Sequence, residues 1–260
     1  MKPGTLVLVP NTLDLGAEAV PLGAVLAHEV ISRAASLAHW AVEDARSARA
    51  FLKRVDALVP LAQPLQSTAI TELPKARKGS REPVPAAEWH ALLAPSLAGH
   101  DLGLLSEAGL PAVADPGAAL VQAAHTAGVP VLPLPGASAL LLALAASGLN
   151  GQSFAFVGYL PQEAAARSAR IKELDALSRR HAQTQLAIET PYRNSALLAA
   201  LVATLSPTTG LSVSCGLTLP GGWTRSDSVA RWRARPAQGS CSIDPFDSFD
   251  RVPAVFAWLA

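Results

Sequence analysis

Glycine, proline and small residues concentrate in two loops, each of which follows a short apolar run of the kind buried in parallel sheets. Residues 106–117 follow Leu102–Leu105, and Pro135 and Gly136 follow residues 129–134. Glycine lets the backbone approach a ligand, and the first turn of a following helix presents free N–H groups. Two such loops at one edge of an α/β sheet form a ligand site, although ordinary tight turns between strands and helices have the same composition.

Two carboxylates and one basic run are the other candidates for chemistry. Glu43 and Asp44 stand where a predicted strand meets a predicted helix, and their spacing from Arg46 and Ser47 is typical of a capped surface helix with local ion pairs. The basic run spans residues 75–81 and favours either phosphate contacts to an RNA or a solvated loop; its candidates are Lys75, Arg77 and Lys78.

Strands and helices alternate along the chain, which is typical of α/β folds with parallel sheets. Strands are predicted at 5–9, 39–42, within 65–73, and at 102–105, 129–134, 154–159, 185–189, 211–215 and 252–259. Helices are predicted at 24–36, 43–55, 85–93, 118–127, from 137 onward, and at 162–180 and 195–205, with a short element at 228–233. Asp115 and Asn194 are predicted helix caps. A hinge at 148–151 predicts two domains, 1–149 and 150–260.

Three motifs resemble the tetrapyrrole methylase superfamily, the class III S-adenosylmethionine-dependent methyltransferases. They are SEAGLPAVADPG at 106–117, GLNGQSFAFVGYLP at 148–161 and IETPYRN at 188–194, and PGASA at 135–139 accompanies them. The nearest branch contains the small-subunit ribosomal RNA ribose methyltransferases. Within that branch the chain looks most like a shorter, uncharacterised subgroup of methyltransferase-like proteins.

The resemblance implies two α/β domains, with mostly parallel or mixed sheets and a cofactor cleft between them. It implies S-adenosylmethionine as cofactor, a ribosomal RNA substrate and a homodimer. It places Glu43 and Asp44 near the cleft as catalytic residues. The cofactor contacts that it implies are Ser106, Glu107, Ala108, Gly109, Ser138, Ala139, Thr190, Pro191 and Leu217. The substrate contacts that we expect are Arg46, Lys75, Arg77, Lys78 and Arg193.

The chain departs from the family pattern at two places. The loop at 10–16 reads PNTLDLG instead of T-P-I-G-N-L, and Gly221, Gly222 and Trp223 stand near an expected glutamate. Three functions therefore stay open: an RNA methyltransferase, a methyltransferase for a small, tetrapyrrole-like molecule, and a cofactor-binding paralogue that has lost catalysis.

Composition limits the classes of partner. The chain has 260 residues, half of them apolar, and a formal net charge of +1, which gives no global electrostatic case for nucleic acid. Cys215 and Cys241 have no disulfide-framework or metal-site spacing, and the six histidines show none either. We expect no metal and no membrane span, because no apolar run is long enough, and we expect a cytoplasmic location.

Overall fold

The computed structural model describes residues 2–14, 20–76, 82–234 and 249–260. The chain divides into two compact units, Met1–Ser138 and Ala139–Ala260. Gly16, Arg77, Lys78 and Cys241, which the sequence singled out, lie outside the described residues.

The first unit contains a five-stranded sheet in which every pair is parallel. Its strands are β1 (Leu6–Leu8), β2 (His39–Val42), β3 (Ala69–Glu72), β4 (Leu102–Leu105) and β5 (Val131–Pro133), in the order β3-β2-β4-β1-β5. All four residues of β4 are buried, which explains why this central strand reads as a continuous apolar run. Leu8 pairs with Leu104, and Val42 pairs with Leu105, so the carboxyl ends of these strands lie at one edge.

Helices cover both faces of this sheet. They are α1 (His28–Ala35), α2 (Ala45–Asp56), α3 (Ala86–Leu92), α4 (Ala94–Leu97) and α5 (Ala118–Thr126), with short 3₁₀ turns at Leu22–Ala24 and Leu65–Ser67. On one face, Trp40 of β2 packs with α1 and α2. On the other, Leu104 packs with α5. Full burial of such side chains contributes about 1.5–3 kcal/mol each.

The second unit contains a mixed five-stranded sheet in the order β6-β7-β10-β8-β9. Its elements are α6 (Ala139–Ser147), β6 (Phe154–Tyr159), α7 (Ala164–His181), β7 (Thr184–Glu189), α8 (Asn194–Thr204), β8 (Gly210–Cys215), β9 (Trp223–Ser228), α9 (Val229–Ala234) and β10 (Ala254–Leu259). β6 and β7 are parallel, whereas β10 runs antiparallel to both of its neighbours. Helices α7, α8 and α9 contribute to the apolar cluster on one face of this sheet, around Phe256 and Trp258.

Helix α6 belongs to the second unit, although the sequence placed it in a domain ending at residue 149. Leu140, Ala143 and Leu144 of this helix pack against Leu186 and Val255 of the second sheet. Helix α6 is apolar on every side, so the sheet that buries its side chains decides to which unit the helix belongs. The two-unit division therefore falls before α6 and not after it.

The α/β class is confirmed, and most elements lie within a few residues of their predicted bounds. The clearest omission is β9, which reads WTRSDS and has no buried apolar side to reveal it. It forms because its backbone pairs antiparallel with β8 over six residues. Such an edge strand depends on a long-range partner more than on its own side chains.

Candidate functional site

The loop that leaves β4, residues 106–109, is the centre of the candidate site in the first unit. Ser106 is buried, and its hydroxyl donates a hydrogen bond to the carbonyl of Ala108 at 3.0 Å. Gly109 has a φ of +65°, a conformation that glycine adopts without strain. The sequence SEAG thus folds into a tight turn at the carboxyl end of a buried strand, where ligands of α/β sheets bind.

Asn11, from the loop after β1, binds the same turn and was not among the predicted site residues. Its side-chain NH₂ group donates to the carbonyls of Ser106 at 3.1 Å and Glu107 at 3.0 Å. Its backbone N–H donates to the carbonyl of Gly109 at 2.8 Å. The signal available in the sequence was a single polar residue directly after a buried strand and Pro10.

Glu43 and Asp44 have different surroundings, although they are adjacent in sequence. The carboxylate of Glu43 accepts a hydrogen bond from the backbone N–H of Glu107 at 3.1 Å, which ties the exit of β2 to the exit of β4. Asp44 is the N-cap of α2, and its carboxylate accepts from the N–H of Ser47 at 2.7 Å. This backbone hydrogen bond holds the pKa of Asp44 below its usual value. Glu43 therefore lies at the loop, whereas Asp44 stabilises a helix end.

The second predicted loop, after β5, lies against the first. A Cβ atom placed on Gly136 would lie 2.2 Å from the Cβ of Pro10, so only glycine fits there. A Cβ atom placed on Gly109 would lie 3.7 Å from the carbonyl oxygen of Ala137. The exits of β1, β4 and β5 are thus packed closely together, and the prediction that the two small-residue turns meet is confirmed for the first unit.

This edge of the first unit is acidic. Burial, followed by the charge of Glu43, raises the pKa of Asp115 to about 6, although a hydrogen bond with Ser106 opposes the shift. Burial and the charges of Glu43 and Asp44 also raise the pKa of Glu107. Clustered carboxylates favour cationic ligand groups and disfavour phosphates.

Asp115 does not cap the following helix, which corrects that prediction. The N-cap of α5 is Gly117, and no side chain caps this helix end. Gly117 has a φ of +130°, so the chain enters the helix through a turn that favours glycine. The carboxyl of Asp115 is hydrogen-bonded to Ser106 instead, and so belongs to the β4 loop.

Of the predicted substrate contacts in the first unit, Arg46 and Lys75 lie within the described residues. Arg46 is exposed on α2, and Lys75 is exposed after β3. Lys75 acts electrostatically on both Asp44 and Glu107, which places its charge at this edge.

In the second unit, Glu189 organises the loop that leaves β7. Its side chain is nearly fully buried, and one carboxylate oxygen accepts from the N–H of Thr190 at 2.7 Å and from Arg193 Nη2 at 2.7 Å. Arg193 is therefore held in an ion pair, with its side chain 35% exposed. Pro191 follows in the same loop, and Tyr192 is 86% exposed with a φ of +77°.

Asn194 is not the cap of α8, which corrects a second prediction. The N-cap is Arg193, and Asn194 is the first helical residue. The buried side-chain NH₂ group of Asn194 donates to the carbonyls of Phe249 at 2.6 Å and Val252 at 2.9 Å. It therefore fixes the segment before β10, a role that its local sequence does not indicate.

Leu217 lies at the same edge of the second sheet as Thr190. Ala254 of β10 pairs with Glu189 on one side and with Cys215 on the other, so β7 and β8 both end there. Leu217 packs against the α6 cluster. Thr190, Pro191 and Leu217 therefore come from neighbouring loops.

The glutamate expected after β8 has no room at Gly222. A Cβ atom on Gly222 would lie 2.1 Å from the carbonyl oxygen of Gly216, so this tight turn excludes any side chain there. Gly221 has a φ of +78°, which also favours glycine. The departure from the family pattern is therefore built into the backbone of the turn.

A cavity of about 370 Å³ lies elsewhere in the first unit. His39, Ala69 and Leu102, at the amino ends of β2, β3 and β4, are among its lining residues. Because the candidate loops leave the carboxyl ends of the sheet, this cavity is separate from them. Among the described residues, no group of three or more His, Cys, Asp or Glu side chains is arranged to hold a metal ion.

Solved structures share the fold over nearly the whole chain. The methyltransferase CobJ matches with a TM-score of 0.53 and 17% identity, covering 98% of this chain and 93% of that one. A cobalamin synthesis related protein, CobF, from Corynebacterium diphtheriae matches with a TM-score of 0.55 and 15% identity, covering 100% and 98%. The cobalt precorrin-4 methyltransferase CbiF matches with a TM-score of 0.52 and 12% identity, covering 98% and 94%. At these identities the likeness establishes the fold.

Sequence relatives are small-subunit ribosomal RNA methyltransferases I. The protein of Micromonospora olivasterospora is 47% identical over 107 residues, which are 41% of this chain and 33% of the relative. That of Bacillus subtilis is 41% identical over 107 residues, 41% of this chain and 35% of the relative. The matched stretch therefore spans about a third of the length of each of these relatives. No protein-family model matches the chain.

The solved methyltransferases and the sequence relatives together confirm the predicted resemblance to the tetrapyrrole methylase superfamily. Over the matched stretch, the sequence is similar to the small-subunit ribosomal RNA methyltransferases I. None of the helices in the described ranges has the length and apolarity needed to span a bilayer.

Proposed function

We propose that this protein is an S-adenosylmethionine-dependent methyltransferase that acts on the ribose 2′-oxygen of ribosomal RNA. The observation that carries the proposal is the close packing of the β1, β4 and β5 exits around the SEAG loop. The sequence similarity to ribosomal RNA methyltransferases supports the choice of substrate. Because that similarity spans about a third of each relative, the acceptor has to be tested directly.

The residues of the first unit fit the proposed cofactor. Gly109 and Gly136 keep side chains out of the space where the loops meet. Glu107, together with Ser106, Ala108 and Ser138, supplies carboxylate, hydroxyl and backbone groups for a ligand that carries amine and hydroxyl groups. The acidic edge suits a ligand with a sulfonium and an ammonium charge. When bound, this cofactor supplies a methyl group on sulfur for in-line displacement by a nucleophile.

The protein's own part in such a reaction is to position the reactants and to help a hydroxyl lose its proton. Of the two predicted catalytic carboxylates, Glu43 is the better candidate, because the Asp44 carboxylate is engaged in capping α2. We propose that Glu43 holds the SEAG loop and presents its charge beside the acceptor. Asp115, with a pKa of about 6, is a further proton acceptor near neutral pH at the same edge.

We propose that few cations contact the RNA. Lys75 and Arg46 are exposed near the acidic edge, and the basic run continues through Arg77 and Lys78. In the second unit, Thr190, Pro191 and Leu217 form the proposed cofactor wall, with Ala139 opening α6, and the pairing of Arg193 with Glu189 fixes that loop. Phosphate contacts of this kind position a nucleic acid without reading its sequence.

Binding and turnover test the proposal separately. Calorimetry with S-adenosylhomocysteine is expected to show one site per chain, and Glu107→Gln is expected to weaken it about tenfold because a charged acceptor is lost. Labelled S-adenosylmethionine is expected to transfer label to small-subunit ribosomal RNA from a strain that lacks the gene. The matched control is Glu72→Gln, which alters a carboxylate bound to the N–H of Ala45 on α2. Absence of S-adenosylhomocysteine binding would overturn the proposed function.

Two observations favour other acceptors. The acidic edge disfavours the phosphates of an RNA, and the tight turn at Gly222 removes the family glutamate. Tight S-adenosylhomocysteine binding with no label on RNA, but with label on a tetrapyrrole, would support the small-molecule alternative. Binding with no turnover on any acceptor would support a paralogue without catalysis.

We further propose a cytoplasmic homodimer. Twofold assemblies are the commonest oligomers of proteins, and a ribosomal RNA substrate lies in the cytoplasm. Sedimentation at micromolar concentration is expected to give twice the chain mass of 26.9 kDa. A single species at the monomer mass would contradict this part of the proposal.

A further inference from the structure

Asn11 makes more hydrogen bonds to the SEAG loop than a turn residue needs for its own conformation. Its side chain binds two successive carbonyls, those of Ser106 and Glu107, and its backbone N–H binds that of Gly109. We propose that Asn11 is a positioning residue that holds this loop in the form that binds the methyl donor. This inference rests on the proposed function of the same site.

The orientation of the Asn11 amide is decided by its neighbours. Its Oδ1 atom accepts a hydrogen bond from the N–H of Thr12 at 2.8 Å, so the NH₂ group must face the two carbonyls. The residue is 6% exposed, which keeps water from replacing these contacts. The two loops exchange hydrogen bonds in both directions, because the N–H of Gly109 also donates to the carbonyl of Thr12 at 3.4 Å.

Together, Asn11 and Glu43 hold the loop from two sides. Asn11 binds carbonyls of the loop, while the carboxylate of Glu43 accepts the N–H of Glu107. Neither contact is part of the strand ladder. Asn11 lies 95 positions from Ser106 in the sequence, and Glu43 lies 64 positions from Glu107. Removal of the Asn11 amide leaves two carbonyls without their partner, so the loop populates other conformations. A ligand that needs the ordered loop then binds more weakly in proportion to the lost population.

The test compares Asn11→Ala with Gln63→Ala. Gln63 is a matched control in the same unit, since its side-chain NH₂ group also donates to two backbone carbonyls, those of Ala38 and Ser67, away from the SEAG loop. Three quantities are measured for each variant: the Kd for S-adenosylhomocysteine, the hydrogen exchange of the loop amides, and the melting temperature. If labelled methyl transfer is observed, the donor KM and kcat are measured as well.

Asn11→Ala is expected to raise the Kd and the donor KM at least tenfold, with kcat at saturating donor changed less than threefold. The amides of Glu107 and Gly109 are expected to exchange faster in this variant alone. Gln63→Ala is expected to lower the melting temperature but to leave the Kd within twofold of wild type. Asn11→Ser, which keeps one donor, is expected to have a Kd between those of wild type and Asn11→Ala. It replaces Asn11→Ala in the comparison if that variant does not fold.

Two failures can be told apart. Wild-type protein that binds no S-adenosylhomocysteine overturns the proposed function and the positioning role with it. Wild-type binding, combined with a folded Asn11 variant whose Kd and loop exchange match those of wild type, overturns the positioning role alone. An equal loss of affinity in Gln63→Ala also overturns it, because general destabilisation would then explain both.

Discussion

Carboxylates from two strand exits come close together in the first unit, and their charges help to raise the pKa values of Glu107 and Asp115. Glu43 follows β2, Glu107 follows β4, and Asp115 lies further along the same loop. Charge repulsion adds to burial at Asp115 and at Glu107, and both pKa values rise. Such perturbed groups cluster at functional sites more often than at structural ones.

The raised pKa of Asp115 predicts a pH-dependent effect of Asp115→Asn on stability. The folded protein binds this proton more tightly than the unfolded chain does, so the stabilisation is full below the ordinary pKa of 3.8 and is lost as pH rises through about 6. Relative to wild type, the variant is therefore expected to be more stable at pH 8 than at pH 4 by about 1 kcal/mol, since partial exposure reduces the full shift. Urea unfolding at both pH values measures the difference in stability between the variant and wild type. A difference that does not change with pH would contradict the raised pKa of Asp115.

Asn194 illustrates how much a buried amide contributes when it joins distant segments. We expect Asn194→Ala to destabilise the protein by about 2–3 kcal/mol, because the carbonyls of Phe249 and Val252 lose their donor. Asn150→Ala is the control, since its NH₂ group donates to a more exposed carbonyl, that of Ala182, and its loss costs about 0.5–1 kcal/mol. Thermal unfolding measures the loss of stability in both variants. Equal losses in Asn194→Ala and Asn150→Ala would contradict the prediction that the buried amide contributes more.

Elements are set in place by close packing between strands as well as by helices on their faces. Gly103, in the middle of β4, pairs with Val7 and with Trp40 in neighbouring strands. A Cβ atom there would lie 2.6 Å from the indole ring of Trp40, so this pair of strands tolerates no side chain. The glycine thus sets the position of the strand that carries the SEAG loop.

Gly103→Ala is accordingly expected to destabilise the first unit by about 2–3 kcal/mol through overpacking against Trp40. Gly23→Ala is the matched control, because nothing lies within 4 Å of the Cβ atom that it adds. The melting temperature and the fluorescence of the tryptophans report on the change. If Gly103→Ala and Gly23→Ala have the same melting temperature, the close approach of Gly103 to Trp40 does not constrain β4.

At the scale of the whole chain, the charge balance limits how an RNA is bound. Lysines and arginines number 21 and aspartates and glutamates 20, so no large excess of cations meets the phosphates. We expect the logarithm of the RNA association constant to fall with the logarithm of salt concentration with a slope of about −1 to −3. Filter binding or anisotropy between low and physiological salt measures this slope. A slope of about −6 or steeper would mean an extensive phosphate interface, contrary to the proposal.

The order and type of the elements, and the position of the main loops, follow from the amino-acid sequence. Short apolar runs in alternation with helical segments predict β2, β4 and β6 at the bounds observed. Glycine and proline mark the turns after β4 and β5, because glycine allows positive φ and close backbone approach and proline fixes φ. These signals are local, so each element can be predicted without knowledge of the elements that pack against it.

The contacts that build the site were decided by tertiary structure. Asn11 and Glu43 reach the SEAG loop across 95 and 64 positions of the chain, and no local pattern encodes such a hydrogen bond. The same holds for Asn194, which joins the segment before β10 instead of capping its helix, and for α6, whose buried side chains pack against the second sheet. Local propensity specifies a strand or a helix, but a buried polar group takes the partner that folding brings within about 3 Å.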